Sequence, residues 1–184
     1  MGTNEFAAKI VDELKFSVQQ MPDSSGDRLA DAILKANRIF IAGAGRSGLM
    51  MKAFAMRLMH LGFRVYVIGE TVTPGVEEGD LLLIGSGSGE TRTLIGMADK
   101  AKSLRALVAV LTTQPQSSIA VLSDIVLPLT GAPKDQADSK LTIQPMGSLF
   151  EQTLLLFLDA VILRLMSRIE QTSTTMYGKH ANLE

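Results

Sequence analysis

The chain is 184 residues long, 46% hydrophobic and 20% charged, with 18 basic against 19 acidic residues. That is the profile of one globular domain with a single sizeable core, and it excludes a disordered chain. No basic run is present to meet a phosphate backbone, so nucleic acid is not an expected partner. The absence of cysteine rules out disulfides, thiolate metal sites and a cysteine nucleophile, and suits a reducing, cytoplasmic setting.

The opening MGTNEFAAKIVDELK carries charges every few residues, so no signal-peptide apolar region is expected there. Gly2 lacks a myristoylation context, because Phe6 stands where that motif wants Ser or Thr. Residues 5–20 have helical spacing, with Phe6, Ile10, Leu14 and Val18 on one face. After the turn MPDSSGD, Leu29, Ile33 and Leu34 mark a second helix. Strand and helix signals then alternate. RIFIAG (38–43) reads as a strand, 45–62 as a helix ending at glycine, RVYVIG (64–69) and DLLLIGS (80–86) as strands. A helix over 91–104, strands at 106–112 and 124–129, and a long helix after Ser148 complete the order. Short apolar strands alternating with helices predict a parallel sheet covered on both faces, with ligands at the carboxyl ends of its strands.

The long helix begins LFEQTLLLFLDAVILRLM (149–166) and is the most apolar segment. Glu151, Asp159 and Arg164 interrupt it, which argues against a membrane span. A helix apolar on nearly every side predicts burial both in its own core and against another copy, so a homo-oligomer is expected. Two irregular stretches, 70–79 and 130–147, are long enough to be site-building loops, and within the second Asp135 and Asp138 read as solvated. The tail MYGKHANLE is expected to be disordered or to dock on a neighbouring subunit.

Two glycine-rich loops end strands. The first, Gly43-Ala-Gly45-Arg-Ser-Gly48, spells GxGxxG, and Glu70 follows at the distance of a dinucleotide fingerprint. Arg46 and Ser47 make this turn more polar than a pyrophosphate turn normally is. On the blandest reading, Ser47 is a helix N-cap and the glycines only permit the turn. The second loop, GSGSGET, puts Ser86, Ser88, Glu90 and Thr91 at a helix entrance. There glycines admit close backbone approach, and hydroxyls and first-turn N–H groups can donate to an anion. Two hydroxyl-rich loops at neighbouring strand ends predict one monophosphate pocket. Ser148 and Glu151 form S-x-x-E ahead of an apolar helix, so a capping box is the simplest role for Glu151, although a carboxylate there could also reach a substrate. Only His60 and His180 are present, too few and too far apart in sequence for a histidine-rich metal site.

GAGRSG, GSGSGET and GSLFEQ, in this order on alternating strands and helices, resemble the sugar isomerase (SIS) domain family over essentially the whole chain. RLMHLGFRVYVIGE, TIQPMGSLFEQ and KHANLE look like its hexulose-phosphate isomerase branch. The resemblance implies an α/β fold, a three-layer αβα sandwich with a five-stranded parallel sheet. It spans residues 1–184 as one SIS domain with N-terminal helices and a C-terminal helix plus tail. A homotetramer without metal or organic cofactor is implied as well. Ser47, Ser86, Ser88 and Thr91 are then phosphate ligands, with Gly87, Gly89 and Glu90 completing the loop and Arg46 close by. Glu151 takes the place of the proton-transferring base. His60 and His180 are both candidates for a catalytic histidine, which such isomerases sometimes take from a neighbouring subunit. The implied reaction interconverts D-arabino-hex-3-ulose 6-phosphate and fructose 6-phosphate through an enediol, in the ribulose monophosphate route of formaldehyde fixation. The rival expectation is a non-catalytic phosphosugar sensor domain of the kind found in transcription regulators.

Overall fold

The computed structural model describes residues 1–131 and 141–183. Asp135 and Asp138, expected to be solvated, lie outside the described residues. The chain opens with two helices, α1 (Thr3–Gln19) and α2 (Asp23–Lys35). Then follow β1 (Ile39–Gly43), α3 (Gly45–Leu61), β2 (Val65–Val67), β3 (Leu81–Gly85), α4 (Arg92–Ser103), β4 (Leu107–Thr112), α5 (Ser118–Leu122) and β5 (Ile125–Pro128). Two more helices, α6 (Ser148–Arg168) and α7 (Ser173–Tyr177), close the order. The five strands form one sheet ordered β2-β1-β3-β4-β5, parallel throughout; the apolar runs predict the parallel sheet, and the resemblance implies its five strands. The short α7, capped by Thr172 accepting from the Thr175 N–H, was not legible in the sequence.

Alternation along the strands assigns the two faces. Ile39, Ile41, Leu81, Leu83 and Leu111 point to the side covered by α2, α3 and α6. Phe40, Ala42, Leu82, Ile84 and Val110 point to the side covered by α4 and α5. Both faces being buried, the strands need no polar alternation, which is why they read as continuous apolar runs.

The register of the two central strands is held at both ends. At the entry edge Arg38, one residue before β1, donates from Nε and Nη2 to the Asp80 carboxylate, one residue before β3, at 3.0 and 2.7 Å. The buried Asp80 also accepts from the Glu77 N–H at 2.8 Å. At the exit edge Gly43 faces Gly85 across the pair. Helix α3 starts so close to β1 that a Cβ on Gly48 would stand 2.7 Å from the Gly43 carbonyl oxygen, closer than atoms pack in a folded interior.

Helices α3 and α6 pack side by side beneath the sheet, with Phe54 and Met51 in one core cluster with Phe150, Leu154 and Phe157. The α6 register to α2 is held by Arg164 and Arg168 on Asp27, at 2.7 and 2.8 Å, and by Arg168 on Asp31. No helix among the described residues is long and apolar enough to cross a membrane. Helix α1 departs from expectation. Of the face read from spacing, Ile10 and Leu14 are half-buried but Phe6 and Val18 are each 47% exposed, and off that face Val11 and Phe16 are 62% and 50% exposed.

Gly48→Ala is expected to lower stability by about 1–3 kcal/mol, because the added methyl meets backbone that cannot move aside. Gly26→Ala in α2, where a Cβ meets nothing within 4 Å, is expected to be neutral or stabilising by about 0.5–1 kcal/mol. Urea denaturation of the two variants measures both.

Candidate active site

In a parallel sheet ordered 2-1-3-4-5, the chain leaves β1 toward one side and β3 toward the other, so their exit loops diverge and open a crevice. Here the crevice is a small recess of about 100 Å³. Gly45 and Ser47 of the first loop and Ser86, Gly87, Ser88 and Thr91 of the second line it. The β1–β3 register puts both loops at the same height, so the pairing predicted from sequence is a pairing in space.

The second loop is held from behind. The Gly87 carbonyl accepts from the Thr113 N–H at 3.0 Å and from the Thr112 and Thr113 hydroxyls at 3.0 and 2.8 Å. Gly89 adopts φ +65°, and a Cβ there would overlap Ser117, so only glycine serves. The Gly89 N–H donates to Ser86 Oγ at 3.2 Å, and the Glu90 N–H to Ser88 Oγ at 3.3 Å. Thr91 is the N-cap residue of α4 but makes no side-chain capping bond. Ser47 is not the N-cap of α3 either. Ala44 occupies that position, and the buried Ser47 sits in the first helical turn. Its hydroxyl and that of Thr91 therefore line the recess without a hydrogen-bond partner among the described residues. The first-turn N–H groups of two helices meet there as well.

Glu151 does not form the capping box that its spacing suggested. The N-cap of α6 is Gly147, with no side-chain bond. Pro145 and Met146, the latter at φ +55°, turn the chain so that the Pro145 carbonyl accepts from both the Ser148 N–H (3.2 Å) and its hydroxyl (2.8 Å). With that donor already satisfied, the Glu151 carboxylate is free to reach elsewhere. It meets Arg46 Nε at 2.7 Å, with side-chain exposures of 5% for Glu151 and 60% for Arg46. Phe150, the neighbour of Glu151, packs under Gly87 (a Cβ on that glycine would lie 3.1 Å from its ring). The carboxylate is thus placed beside the recess and deep, with its guanidinium partner reaching out to solvent.

Other sequence candidates go elsewhere. Glu90 accepts from the Ser118 N–H and hydroxyl, both at 2.7 Å, and these bonds lower its pKa. Its carboxylate is engaged at the start of α5, and it is not among the residues lining the recess. Glu70 follows β2 in an exposed turn, far from the clean strand end a ribose-binding carboxylate needs. His60 lies thirteen residues past Ser47 on α3, about 20 Å along the axis. There its ring stacks on His180 at 5.6 Å, with Tyr177 6.1 Å from His180. So the chain unites the two histidines, both candidates from the sequence, but holds them at the opposite end from Glu151. They line a cavity of about 450 Å³ with Arg57, Asp159 and Met176. The Arg57 guanidinium can only donate, so at 3.4 Å from His60 Nδ1 it requires that nitrogen unprotonated. The sequence missed the Arg46–Glu151 pair and the stacked histidines, since neither pair is close along the chain.

The fold and this edge define a parallel α/β protein with a hydroxyl-lined recess at the β1/β3 switch point. A family model described as the SIS domain matches residues 32–157, and the chain belongs to the sugar isomerase (SIS) domain family. The 3-hexulose-6-phosphate isomerase of Bacillus subtilis (strain 168) is 57% identical over 185 residues, covering 100% of both chains. That of Mycobacterium gastri is 44% identical over 156 residues, 85% of this chain and 78% of the relative. A crystal structure from Methanococcus jannaschii, described as inferring a molecular function of 3-hexulose-6-phosphate isomerase, superposes with a TM-score of 0.82 at 36% identity, covering 98% of each chain.

Burial first, then the positive charge of Arg57 and the nearby His180, hold the His60 pKa below 6.5. The unfolded chain therefore binds the proton more readily. The contribution of His60 to stability is complete above about pH 6.5 and is lost as pH falls toward the lowered value. Acidification from about pH 7.5 to 5.5 is expected to lower the Tm, and the drop is expected to be smaller in His60→Gln, as read by thermal unfolding across that range.

Proposed function

We propose that this chain is a phosphosugar isomerase that interconverts D-arabino-hex-3-ulose 6-phosphate and fructose 6-phosphate, the step of the ribulose monophosphate route of formaldehyde fixation that yields the common hexose phosphate. Relatives at 57% and 44% identity bear the name of that isomerase. The observation that carries the chemistry is Glu151, a buried carboxylate at the sheet's ligand edge, freed from capping and paired with a solvent-reaching arginine.

The reaction moves a carbonyl between adjacent carbons. A base takes the proton from C2 of the 3-hexulose and leaves a 2,3-enediol. The same base returns a proton to C3, and the hydroxyl proton shifts between the two oxygens. Net oxidation state is unchanged, so no redox cofactor is consumed. One carboxylate placed over one face of the enediol reaches both carbons, and Glu151 takes that role. Arg46 lies within hydrogen-bonding distance of the Glu151 carboxylate, so its remaining donors are available to the enediolate oxygens as charge builds there. The phosphate sits in the recess, where Ser47, Ser86, Ser88, Thr91 and the first-turn N–H groups of α3 and α4 hold it. Its role is positional, fixing C2 and C3 beside Glu151.

The functional unit is a homo-oligomer in which a second copy supplies a histidine. Two observations support this. Helix α1 leaves Phe6, Val11, Phe16 and Val18 exposed, and α3 leaves Leu49 and Met56 exposed, more apolar surface than isolated side chains explain. His60 and His180 stand a helix length from their own chain's recess, so either one can serve only a neighbour's.

Glu151→Gln is expected to lower kcat by about 10²–10⁴-fold while fructose 6-phosphate still binds. Incubation of the wild type with fructose 6-phosphate in heavy water is expected to place deuterium at C3 without added cofactor, and in Glu151→Gln to place almost none, both read by NMR. Exchange in the variant at the wild-type rate would return Glu151 to a structural role. The shared site has its own test. Glu151→Gln and His60→Asn chains, each inactive alone, are expected to regain partial activity when unfolded and refolded together. Activity of the mixture no higher than either parent would sink the donated histidine.

A further inference from the structure

Helix α1 is the least buried helix of the N-terminal half, yet one of its side chains makes an unusually complete set of bonds to a distant segment. Glu13 Oε1 accepts from the Ile143 N–H at 2.6 Å. Its Oε2 accepts from the Thr142 hydroxyl at 2.7 Å and from Gln144 Nε2 at 3.0 Å. The Thr142 oxygen in turn accepts from the Gln144 N–H at 3.0 Å, so the carboxylate sits in a turn formed around it. Burial alone would raise the Glu13 pKa, but the bonds from Thr142, Ile143 and Gln144 outweigh it and leave the pKa lowered. The carboxylate is therefore charged near neutral pH, and charge-assisted bonds are the stronger kind.

What this turn leads to gives it significance. Directly after Gln144 come Pro145, whose carbonyl takes both Ser148 donors, and Met146 at φ +55°. A non-glycine residue holds such a backbone only when both sides of it are pinned. The pin on the far side is α6 itself, packed on α3. On the near side it is Glu13. Three residues past Ser148 stands Glu151.

We infer that Glu13 is a positioning residue for the reaction: by clamping residues 142–144 it sets the entry of α6, and so the placement of the Glu151 carboxylate against Arg46 and the substrate. It touches no substrate. The inference rests on Glu151 being the base, and it gives α1 a part in the chemistry that its surface position does not suggest.

Glu13→Gln tests it with little change in size. The amide keeps one acceptor oxygen but turns an NH₂ group toward donors, so at least one of the three bonds is lost. The expected result is a kcat lowered about tenfold or more, with KM and fructose 6-phosphate affinity within about twofold of wild type and circular dichroism unchanged. Thr142→Val, which removes both the donor to Glu13 and the acceptor of the Gln144 N–H, is expected to shift kcat in the same direction. Introduced into the Glu151→Gln background, Glu13→Gln is expected to add no further loss, since its effect passes through the carboxylate already removed. Wild-type kcat in both Glu13→Gln and Thr142→Val, with Glu151→Gln inactive, would overturn the inference alone. So would a Glu13→Gln loss that appears in KM, or one that multiplies fully with Glu151→Gln. Near-normal turnover in Glu151→Gln overturns the base assignment first, and this inference with it.

Discussion

Everything at the ligand edge depends on the register of β1 against β3. The two strands are paired over five residues, from Ile39 against Leu81 to Gly43 against Gly85. A slip of one residue would turn each strand's inner side chains to the wrong face and would separate the two glycine loops in height. The bidentate Arg38–Asp80 pair prevents this at the entry edge, where both residues precede their strands by one position. At the exit edge small residues decide, since Gly43 admits Gly48 and Gly85 admits Met51. A long-range ion pair and a few absent methyl groups thereby set where two loops meet.

The Arg46–Glu151 pair runs against one local rule and obeys another. A cation in the first turn of a helix opposes the positive end of the helix dipole, at a cost of about 0.3–1 kcal/mol, and α3 has no acidic residue in its first turn. Glu151, in the first turn of α6, lies where a negative charge is favoured. Because α3 and α6 both start at the ligand edge, the carboxylate offsets the misplaced cation. Glu151 is nearly desolvated, so removing Arg46 would leave a buried charge without its partner. An arrangement that is locally unfavourable and held by its surroundings is common at functional sites.

The far end of the same helix pair has a different character. There α3 presents His60 under the last helix, and the neutral, buried imidazole stacks on His180 beside Tyr177. The apolar surfaces left on α1 and α3 suit a protein whose proposed active unit is larger than one chain, with one end of α3 serving its own recess and the other facing a neighbour.

Much of this fold is legible in the sequence. Apolar runs of strand length bounded by glycine mark the sheet, because a strand buried on both faces has no choice but to be apolar. The two Gly/Ser loops declare a recess, because hydroxyls and glycines at strand ends have few other uses. The boundaries of β1, α3, β3 and β4 fall within two residues of the sequence reading. Local spacing misled where a distant partner intervened. S-x-x-E suggested a capping box, but the Pro145 carbonyl had already taken the Ser148 N–H. Glu90 belongs to the loop by sequence, while in the fold its carboxylate accepts from Ser118. The apolar face of α1 is open at Phe6 and Val18, because the sequence marks which side is apolar and not what covers it. The amino-acid sequence by itself determined the α/β class, the order of the strands and the longer helices, and the two loops, all of which follow from short-range periodicity and backbone freedom. Tertiary structure alone decided that Glu151 meets Arg46 and that the histidines leave the recess. It also decided that Glu13 reaches residues 142–144 across 129 positions of chain. Those contacts come from the packing of α1, α3 and α6, and no local pattern encodes them.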